Sequence, residues 1–224
     1  MKIKNNLIVM ILSSVVCLLP LILSLAVYSD LPEQIAVQWS NTRNPTNVLP
    51  KAFAAFGLPL ILMAVNIFSK LRLNNDPKRG GTPTVMRTIY LWLIPVISLL
   101  LVPAALFIAM DVNIPIAIIA PVAIGIVFIL SGNYLPKSRQ NYVIGIRLPW
   151  TLHDADNWNK THRIAGYLRI LGGMALITGS FITFGNLAWI VFSLAVLALV
   201  IIIPFLYSYS LYKKTGNNEQ DNYE

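Results

Sequence analysis

Long apolar segments limit what this chain can fold into. Six of them follow one another, at residues 7–27, 53–68, 89–110, 114–130, 168–184 and 187–207. About 20 apolar residues cross a bilayer as a helix, and a backbone in lipid must satisfy its own hydrogen bonds. The chain is 56% hydrophobic and only 12% charged, whereas a soluble domain has about 25% charged residues. The sequence therefore predicts an all-α polytopic membrane protein with about six transmembrane helices.

The basic residues predict how these helices are oriented. All Lys and Arg residues except Arg43 and Lys51 fall in the termini, in the connections after the second and fourth apolar segments or, for Arg169, at the start of the fifth segment. Basic loops stay on the cytoplasmic side of a membrane, so we expect both termini to be cytoplasmic. The net charge of +8 then reflects topology and contact with anionic headgroups of the lipid bilayer, and direct binding to nucleic acid is not expected.

Several kinds of chemistry find little support in the sequence. The single cysteine, Cys17, lies in an apolar segment, so neither a disulfide nor a thiolate metal site can form within one chain. No Ser or Cys has the setting of a nucleophile, so we predict no catalytic residue. The ligand types of His153, Asp154, Asp156 and His162 suit a metal, but their spacing matches no standard site. We therefore predict no metal and no cofactor.

The connection at residues 132–169 carries the most informative pattern. Thr151 to Asp154 fits a capping box, which predicts a helix that starts there and runs through Trp158 and His162 into the fifth apolar segment. Three arginines, Arg139, Arg147 and Arg163, can form a guanidinium cluster for phosphate or carboxylate. The alternative is that these arginines cap carbonyl groups and contact lipid headgroups.

The connection at residues 28–51 is the only long one on the predicted outer side. It leads from Leu31 and Pro32 to Trp39 and then through a polar stretch. One interpretation is a turn-rich surface loop with Trp39 at the headgroup level. The other is an outward binding surface for a ligand that arrives from outside.

Taken together, these residues resemble the SdpI family of bacterial membrane proteins, named for the immunity protein against the sporulation-delaying cannibalism toxin. The resemblance rests on Asn133-Tyr134-Leu135-Pro136-Lys137, Arg139-x-Asn141, Gly145-Ile146-Arg147-x-Pro149-Trp150-Thr151-Leu152 and Trp158-x-x-Thr161-His162-Arg163. The outer Leu31-Pro32-x-x-Ile35-x-x-x-Trp39 is similar to the family's N-terminal module. That module is divergent here at Ala36, Gln38, Ser40, Arg43 and Thr46, so chemistry that needs the family's His or Asp is absent.

The resemblance implies a domain organisation and a role. Residues 1–75 would form an N-terminal module of two transmembrane helices with an external loop, and residues 76–224 an SdpI-like module of about four. The implied function is immunity to a secreted membrane-active peptide toxin in the bacterial cell membrane, without enzymatic activity. A further implied role is that of a receptor which holds a cytoplasmic transcriptional repressor at the membrane.

The predicted sites follow from the same resemblance. The cytoplasmic residues expected to contact a partner or headgroups are Asn133, Pro136, Arg139, Asn141, Gly145, Arg147, Pro149, Trp150, Thr151, Trp158, Thr161, His162 and Arg163, and those expected to contact an external ligand are Leu31, Pro32 and Trp39. Two alternatives stay open. A membrane enzyme acting on a lipid or peptide would place Arg147, Arg163 and His162 around a headgroup. A small transporter would need a polar path, and the predicted spans hold no Lys, Arg, Asp or Glu well inside.

Overall fold

The computed structural model describes residues 2–39, 45–182 and 186–221. The helices are α1 (Lys2–Leu18), α2 (Pro20–Val27), α3 (Leu58–Asn74), α4 (Thr84–Ala109), α5 (Ile116–Tyr134), α6 (Pro149–His153), α7 (Ala155–Ser180) and α8 (Asn186–Asp221), and the strands are β1 (Gln34–Trp39) and β2 (Pro45–Pro50). The chain divides into two compact units. Unit 1 holds residues 1–74 and 90–116, and unit 2 holds residues 75–89 and 117–224, so that α4 contributes to both.

Five helical segments in the described part of the chain are long and apolar enough to cross a membrane. They are Ile8–Asp30, Phe53–Asn74, Thr84–Ala109, Ile116–Lys137 and Leu187–Thr215. These segments match five of the predicted spans and confirm a helical polytopic membrane protein. The remaining predicted span, 168–184, falls largely within α7, which contains Arg169 and four glycines and is less apolar. The number of six crossings and the side of the termini stay predictions.

Unit 1 is held together by polar contacts between its apolar helices. Pro20 lacks a backbone N–H, so the helical hydrogen bonding of the first apolar segment is interrupted between α1 and α2. Antiparallel to it runs α3, with Asn66 Nδ2 donating to Ser14 Oγ at 3.3 Å. From α4, Ser98 Oγ donates to the Cys17 carbonyl at 2.8 Å. Each contact satisfies a polar group that lipid could not.

A small β-hairpin forms the connection between α2 and α3. Its antiparallel register runs from Gln34 opposite Pro50 to Trp39 opposite Pro45. Ile35 is completely buried and packs in the core of unit 1 with Leu31, next to residues of α4. Because strands place alternate side chains on opposite faces, one face of the hairpin can close this core. The expectation of a turn-rich loop missed this sheet.

In unit 2, α5 and α7 approach closely at two glycine pairs. A Cβ on Gly125 would lie 2.7 Å from the Gly173 carbonyl oxygen, and one on Gly132 would lie 2.7 Å from that of Gly166. No larger residue fits at that separation, so these glycines set the distance between two antiparallel helices. On another side of α7, a Cβ on Gly172 would lie 2.7 Å from Val200 of α8. These contacts hold α7 against α5 on one side and against α8 on another.

Candidate functional site

The connection between α5 and α7 folds into a compact hydrogen-bonded structure. We call residues 135–154 the signature loop. It contains a 3-10 turn, Leu135–Lys137, and the short helix α6. Leu135 is completely buried, and Val143 and Ile144 are buried as well. The signature loop therefore has an apolar interior, which packs on the first turns of α7.

Asn141 holds the first half of the signature loop from inside. Its side chain is completely buried, and Oδ1 accepts the N–H groups of Val143 at 3.1 Å and Ile144 at 2.6 Å. Nδ2 donates to Ser138 Oγ at 3.3 Å and to the Arg139 carbonyl at 3.0 Å. A carboxamide has two donors and an acceptor oxygen with two lone pairs, so every polar position of Asn141 is used within the loop.

His162 closes the loop onto α7 and is held in one tautomer. The Ile146 N–H donates to Nε2 at 3.0 Å, so the ring proton must lie on Nδ1, which is 2.8 Å from the Trp158 carbonyl oxygen. The His162 ring stacks on the Trp158 indole with centroids 3.9 Å apart. Burial lowers the pKa of His162 to about 4, because a charged ring would lose its hydration. This histidine is therefore neutral at physiological pH.

Gly145 is required where the loop passes over that histidine. Its φ of +114° is one that residues with a side chain rarely adopt. A Cβ on Gly145 would collide with Nε2 of His162 and lie 3.2 Å from the Trp158 ring. On the far edge of the same indole, Trp158 Nε1 donates to the Ser138 carbonyl at 2.7 Å. Trp158 thus supports both halves of the signature loop.

Thr151 fixes the start of α6. Its Oγ1 accepts the Leu148 N–H at 2.9 Å and lies 2.9 Å from the Ile146 carbonyl oxygen, to which it can donate. Pro149 occupies the first helical position, where a missing N–H has no cost. Gln140 Nε2 donates to the Thr151 carbonyl at 2.9 Å. The side chain of Thr151 is completely buried.

The predicted capping box at Thr151 to Asp154 is wrong. The chain is extended at Asp154, with φ −113° and ψ 115°, and this interrupts the helix that the sequence predicted through the region. Asp154 is instead the N-cap of α7, since its Oδ1 accepts the N–H groups of Asp156 at 2.8 Å and Asn157 at 3.2 Å. One short helix and one long helix replace a single continuous one.

A second polar network joins the loop to α8. Trp150 Nε1 donates to Ser208 Oγ at 2.9 Å, and Ser208 Oγ donates to Asn157 Oδ1 at 2.7 Å. Asn157 Nδ2 donates to the Ser208 carbonyl at 3.0 Å, while Thr161 Oγ1 donates to Asn157 Oδ1 at 3.0 Å. The Trp150 ring also stacks on Tyr212 at a centroid distance of 5.4 Å. Trp150 therefore connects α6 to the last part of α8.

The connection between α3 and α4 contributes to the same structure. The carboxylate of Asp76 accepts the N–H groups of Lys78 at 2.8 Å and Tyr142 at 3.0 Å. The Arg139 N–H donates to the Gly81 carbonyl at 2.8 Å, and Lys78 Nζ lies 5.2 Å from the centre of the Tyr142 ring. All of these residues belong to unit 2, so the signature loop is bound on this side by a second segment of chain.

The predicted cytoplasmic residues separate into two groups by burial. The side chains of Asn141, Thr151, Trp158, Thr161 and His162 are completely buried, while Asn133, Pro136, Arg139, Arg147, Pro149 and Arg163 are exposed and Gly145 and Trp150 are intermediate. The buried group binds within the unit, so its members can only position the loop. Any contact with a partner or with headgroups falls to the exposed group. In that group, Arg147 Nη1 donates to the Tyr142 carbonyl at 2.8 Å, in line with the carbonyl-capping alternative.

The four candidate metal ligands have other partners. His153 Nδ1 lies 2.6 Å from a backbone carbonyl, Asp154 caps α7, and Asp156 forms an ion pair of 2.6 Å with Lys160. Both nitrogens of His162 are engaged. Within residues 2–39, 45–182 and 186–221, no group of three or more His, Cys, Asp and Glu side chains could hold a metal ion.

The predicted external residues are placed less completely. Leu31 is 4% exposed and packs in the core of unit 1, and its contact with an external ligand stays a prediction. Pro32 is exposed. Trp39 ends β1, but its side chain lies outside the described part. Close by, Lys51 Nζ forms an ion pair of 2.8 Å with Glu33.

Four residues of this site went unrecognised in the sequence. Asp76, Ser138, Asn157 and Ser208 are all buried and hydrogen-bonded. Asn157 lies one turn before Thr161, a spacing that could have suggested a pair on one helix face. The partners of Asp76 and Ser208 are 66 and 51 residues away, and a single sequence holds no signal for such distant pairs.

Comparison with known proteins gives two family matches and one full-length relative. A model described as the SdpI/YfhL protein family matches residues 137–208, and a domain of unknown function (DUF1648) matches residues 15–63. The chain is 30% identical over 209 residues to "Immunity protein SdpI" from Bacillus subtilis (strain 168), over 93% of this chain and 98% of that protein. No solved structure matches the chain. The chain is a multi-pass bacterial membrane protein and belongs to the SdpI/YfhL family.

Proposed function

We propose that this protein makes a bacterial cell resistant to a secreted, membrane-active peptide toxin. The observation that carries the proposal is the alignment with the protein named "Immunity protein SdpI", which spans 93% of this chain and 98% of that protein. Both the hairpin of unit 1 and the signature loop of unit 2 lie within the two family matches or at their edges. The inference of an immunity function therefore rests on similarity over nearly the whole chain and not on one shared helix.

The proposed topology has six crossings with both termini in the cytoplasm. Five crossings correspond to the long apolar helices, and the sixth would be the second half of α7. This arrangement places the basic signature loop inside and the β-hairpin outside, as the positive-inside rule requires. A secreted peptide would meet the hairpin first. We expect Pro32 and Trp39 to be in the surface that it contacts.

The hydrogen bonding of the signature loop is consistent with a protein that has no catalytic activity. A general base needs a nitrogen or oxygen free to accept a proton. Both nitrogens of His162 are bonded inside the protein, and the buried hydroxyl of Thr151 is bonded within the loop. These groups therefore favour a rigid binding surface over a catalytic site.

The second part of the proposal concerns the cytoplasmic surface. Arg139, Arg147 and Arg163 are exposed on unit 2, where guanidinium groups can bind carboxylates or phosphates. We propose that this surface contacts headgroups and recruits a cytoplasmic transcriptional repressor when toxin is bound. Such recruitment requires that the toxin bind two states of the protein with different affinity.

A survival assay tests the immunity function. The full chain is expressed in a toxin-sensitive bacterium, its insertion is confirmed by membrane fractionation, and the cells are challenged with a secreted cannibalism-type peptide. We expect survival with the wild type and its loss with Trp39→Ala. Gln34→Ala, on the same strand, is the matched control and should still protect. Killing of cells that contain well-inserted wild-type protein would contradict immunity to that peptide.

A separate measurement tests recruitment. Arg147→Ala should retain protection but reduce the membrane-bound fraction of a co-expressed candidate repressor after toxin is added. Lys160→Ala removes another exposed cation of unit 2 and should leave that fraction unchanged. A repressor that stays in the cytosol with wild-type protein and toxin would remove the receptor role and leave the immunity role standing.

A further inference from the structure

A buried lysine without a partner lies within unit 1. Lys70, near the end of α3, is 2% exposed, and its Nζ has no hydrogen-bond partner among the described residues. The sequence placed Lys70 in a connection, because the predicted span ended at residue 68. That placement is wrong, since α3 continues to Asn74. An ammonium group has three donors, and leaving them unsatisfied in a membrane-spanning bundle is costly.

Polar groups on the neighbouring helix already have partners. One turn before Lys70, Asn66 Nδ2 donates to Ser13 and Ser14 at 3.5 Å and 3.3 Å. The Ser14 hydroxyl donates to the Met10 carbonyl at 2.8 Å. The hydroxyl oxygens of Ser13 and Ser14 therefore already accept from Asn66.

The acidic residues of unit 1 cannot neutralise Lys70. They are Asp30, Glu33 and Asp111, and all three lie at the opposite ends of the helices, beside the hairpin or after α4. The antiparallel contacts Ser14–Asn66 and Ser24–Ala55 establish which ends adjoin. An anion that pairs with Lys70 must therefore come from outside unit 1.

The position of Lys70 indicates which kind of anion can reach it. Four residues separate it from Asn74, which is about 6 Å along a helix axis. A lysine stem of four methylene groups can cover that distance by rotating toward the helix end. Phe68 and Leu71 on the same helix are 60% and 47% exposed, as side chains that face lipid would be. The next acidic residue along the chain, Asp76, belongs to unit 2, and its carboxylate already accepts the N–H groups of Lys78 and Tyr142. The remaining source of oxyanions is the headgroup layer next to the end of α3.

We propose that Lys70 binds a phosphate oxyanion carried by the headgroup of an anionic phospholipid at that end of unit 1. The phosphate supplies several acceptor oxygens for the three N–H donors of Lys70, which the described protein does not. This proposal is separate from the immunity function, because it assigns a lipid ligand to unit 1 whichever toxin the protein opposes.

Thermal unfolding of the full chain in dodecylmaltoside tests the site. Phosphatidylglycerol and phosphatidylcholine are titrated at equal mole fraction, and wild type is compared with Lys70→Met and Lys70→Gln. We expect phosphatidylglycerol alone to raise the unfolding temperature of the wild type. Its half-saturating concentration should be about tenfold higher, or the response absent, in both variants, and tenfold corresponds to about 1.4 kcal/mol. Arg72→Met removes an exposed cation two residues away and should respond as wild type does.

Two results would overturn the proposal. One is a wild type that responds equally to both lipids, and the other is a Lys70 variant with an unchanged response to phosphatidylglycerol. Titration with inorganic phosphate in phosphatidylcholine separates the two sources of oxyanion. A shift of the same size at millimolar phosphate would support the oxyanion site and overturn its assignment to lipid. If one variant does not insert, the other variant carries the comparison.

Discussion

Replacing Gly145 by alanine tests whether the signature loop is held by its own geometry. The substitution places a methyl group at a φ of +114°, and a strained conformation of this kind costs about 1–3 kcal/mol. The methyl group also displaces His162, so the hydrogen bond from the Ile146 N–H to Nε2 is lost. Leaving a buried donor and acceptor unpaired costs about another 1–3 kcal/mol. We therefore expect Gly145→Ala to lower the free energy of unfolding by about 2–6 kcal/mol.

Equilibrium unfolding in mixed micelles of dodecylmaltoside and sodium dodecyl sulfate, followed by tryptophan fluorescence, measures this loss. Gly80→Ala is the matched control, because a Cβ on Gly80 meets nothing within 4 Å, and an exposed substitution stays within about 0.5 kcal/mol of wild type. A Gly145→Ala protein as stable as that control would refute the reasoning, since the loop would then have room to move away from His162.

Three further substitutions test other contacts of the same structure. Burial lowers the pKa of His162 from 6.5 to about 4, so between these pH values the unfolded chain binds a proton that the folded chain does not. Relative to His162→Gln, wild type should lose about 3 kcal/mol of unfolding free energy from pH 6.5 to 4 and nothing above pH 6.5; parallel pH profiles would contradict this. Asp76→Asn keeps one acceptor oxygen where two N–H groups bind, so it should cost about 1–3 kcal/mol and speed proteolysis near Tyr142, and an unchanged cleavage rate would argue against it. Ser208→Ala should cost a similar amount and shift the fluorescence of Trp150 to longer wavelength, whereas an unshifted spectrum would mean that this indole is held by its ring contacts alone.

Most of the membrane fold could be predicted from the sequence, because apolar segments and basic connections are local signals. The hairpin was missed because its strands are short and because the burial of Ile35 depends on tertiary packing in the core of unit 1. The end of α3 was missed for a related reason. The local sequence predicts that Lys70 lies in a connection, because a lysine follows the apolar segment. Its burial depends on packing against α1, which no local pattern encodes.

The sequence predicted a site in the signature loop, but the structural roles of the loop residues were not predictable. Asn141 and Gly145 act through backbone geometry that a pattern can suggest. Whether Trp158 and His162 face lipid, a partner or the loop depends on tertiary packing, and the structure shows both completely buried. Thr151 and Asp154 both suit helix caps, and only the extended backbone at Asp154 shows that they belong to two helices.

Several residues of the signature pattern are completely buried, so they cannot contact a partner directly. Side chains that bind loop backbone, such as Asn141 and His162, fix the shape of the surface without being part of it. Under the proposed recruitment, specificity for a cytoplasmic partner would depend on few exposed groups, among them Arg147, whose guanidinium is already oriented by the Tyr142 carbonyl. An oriented guanidinium loses less side-chain entropy when it binds an oxyanion than a free one does. A family could therefore keep one rigid loop and alter its partner by substituting the arginines on its surface.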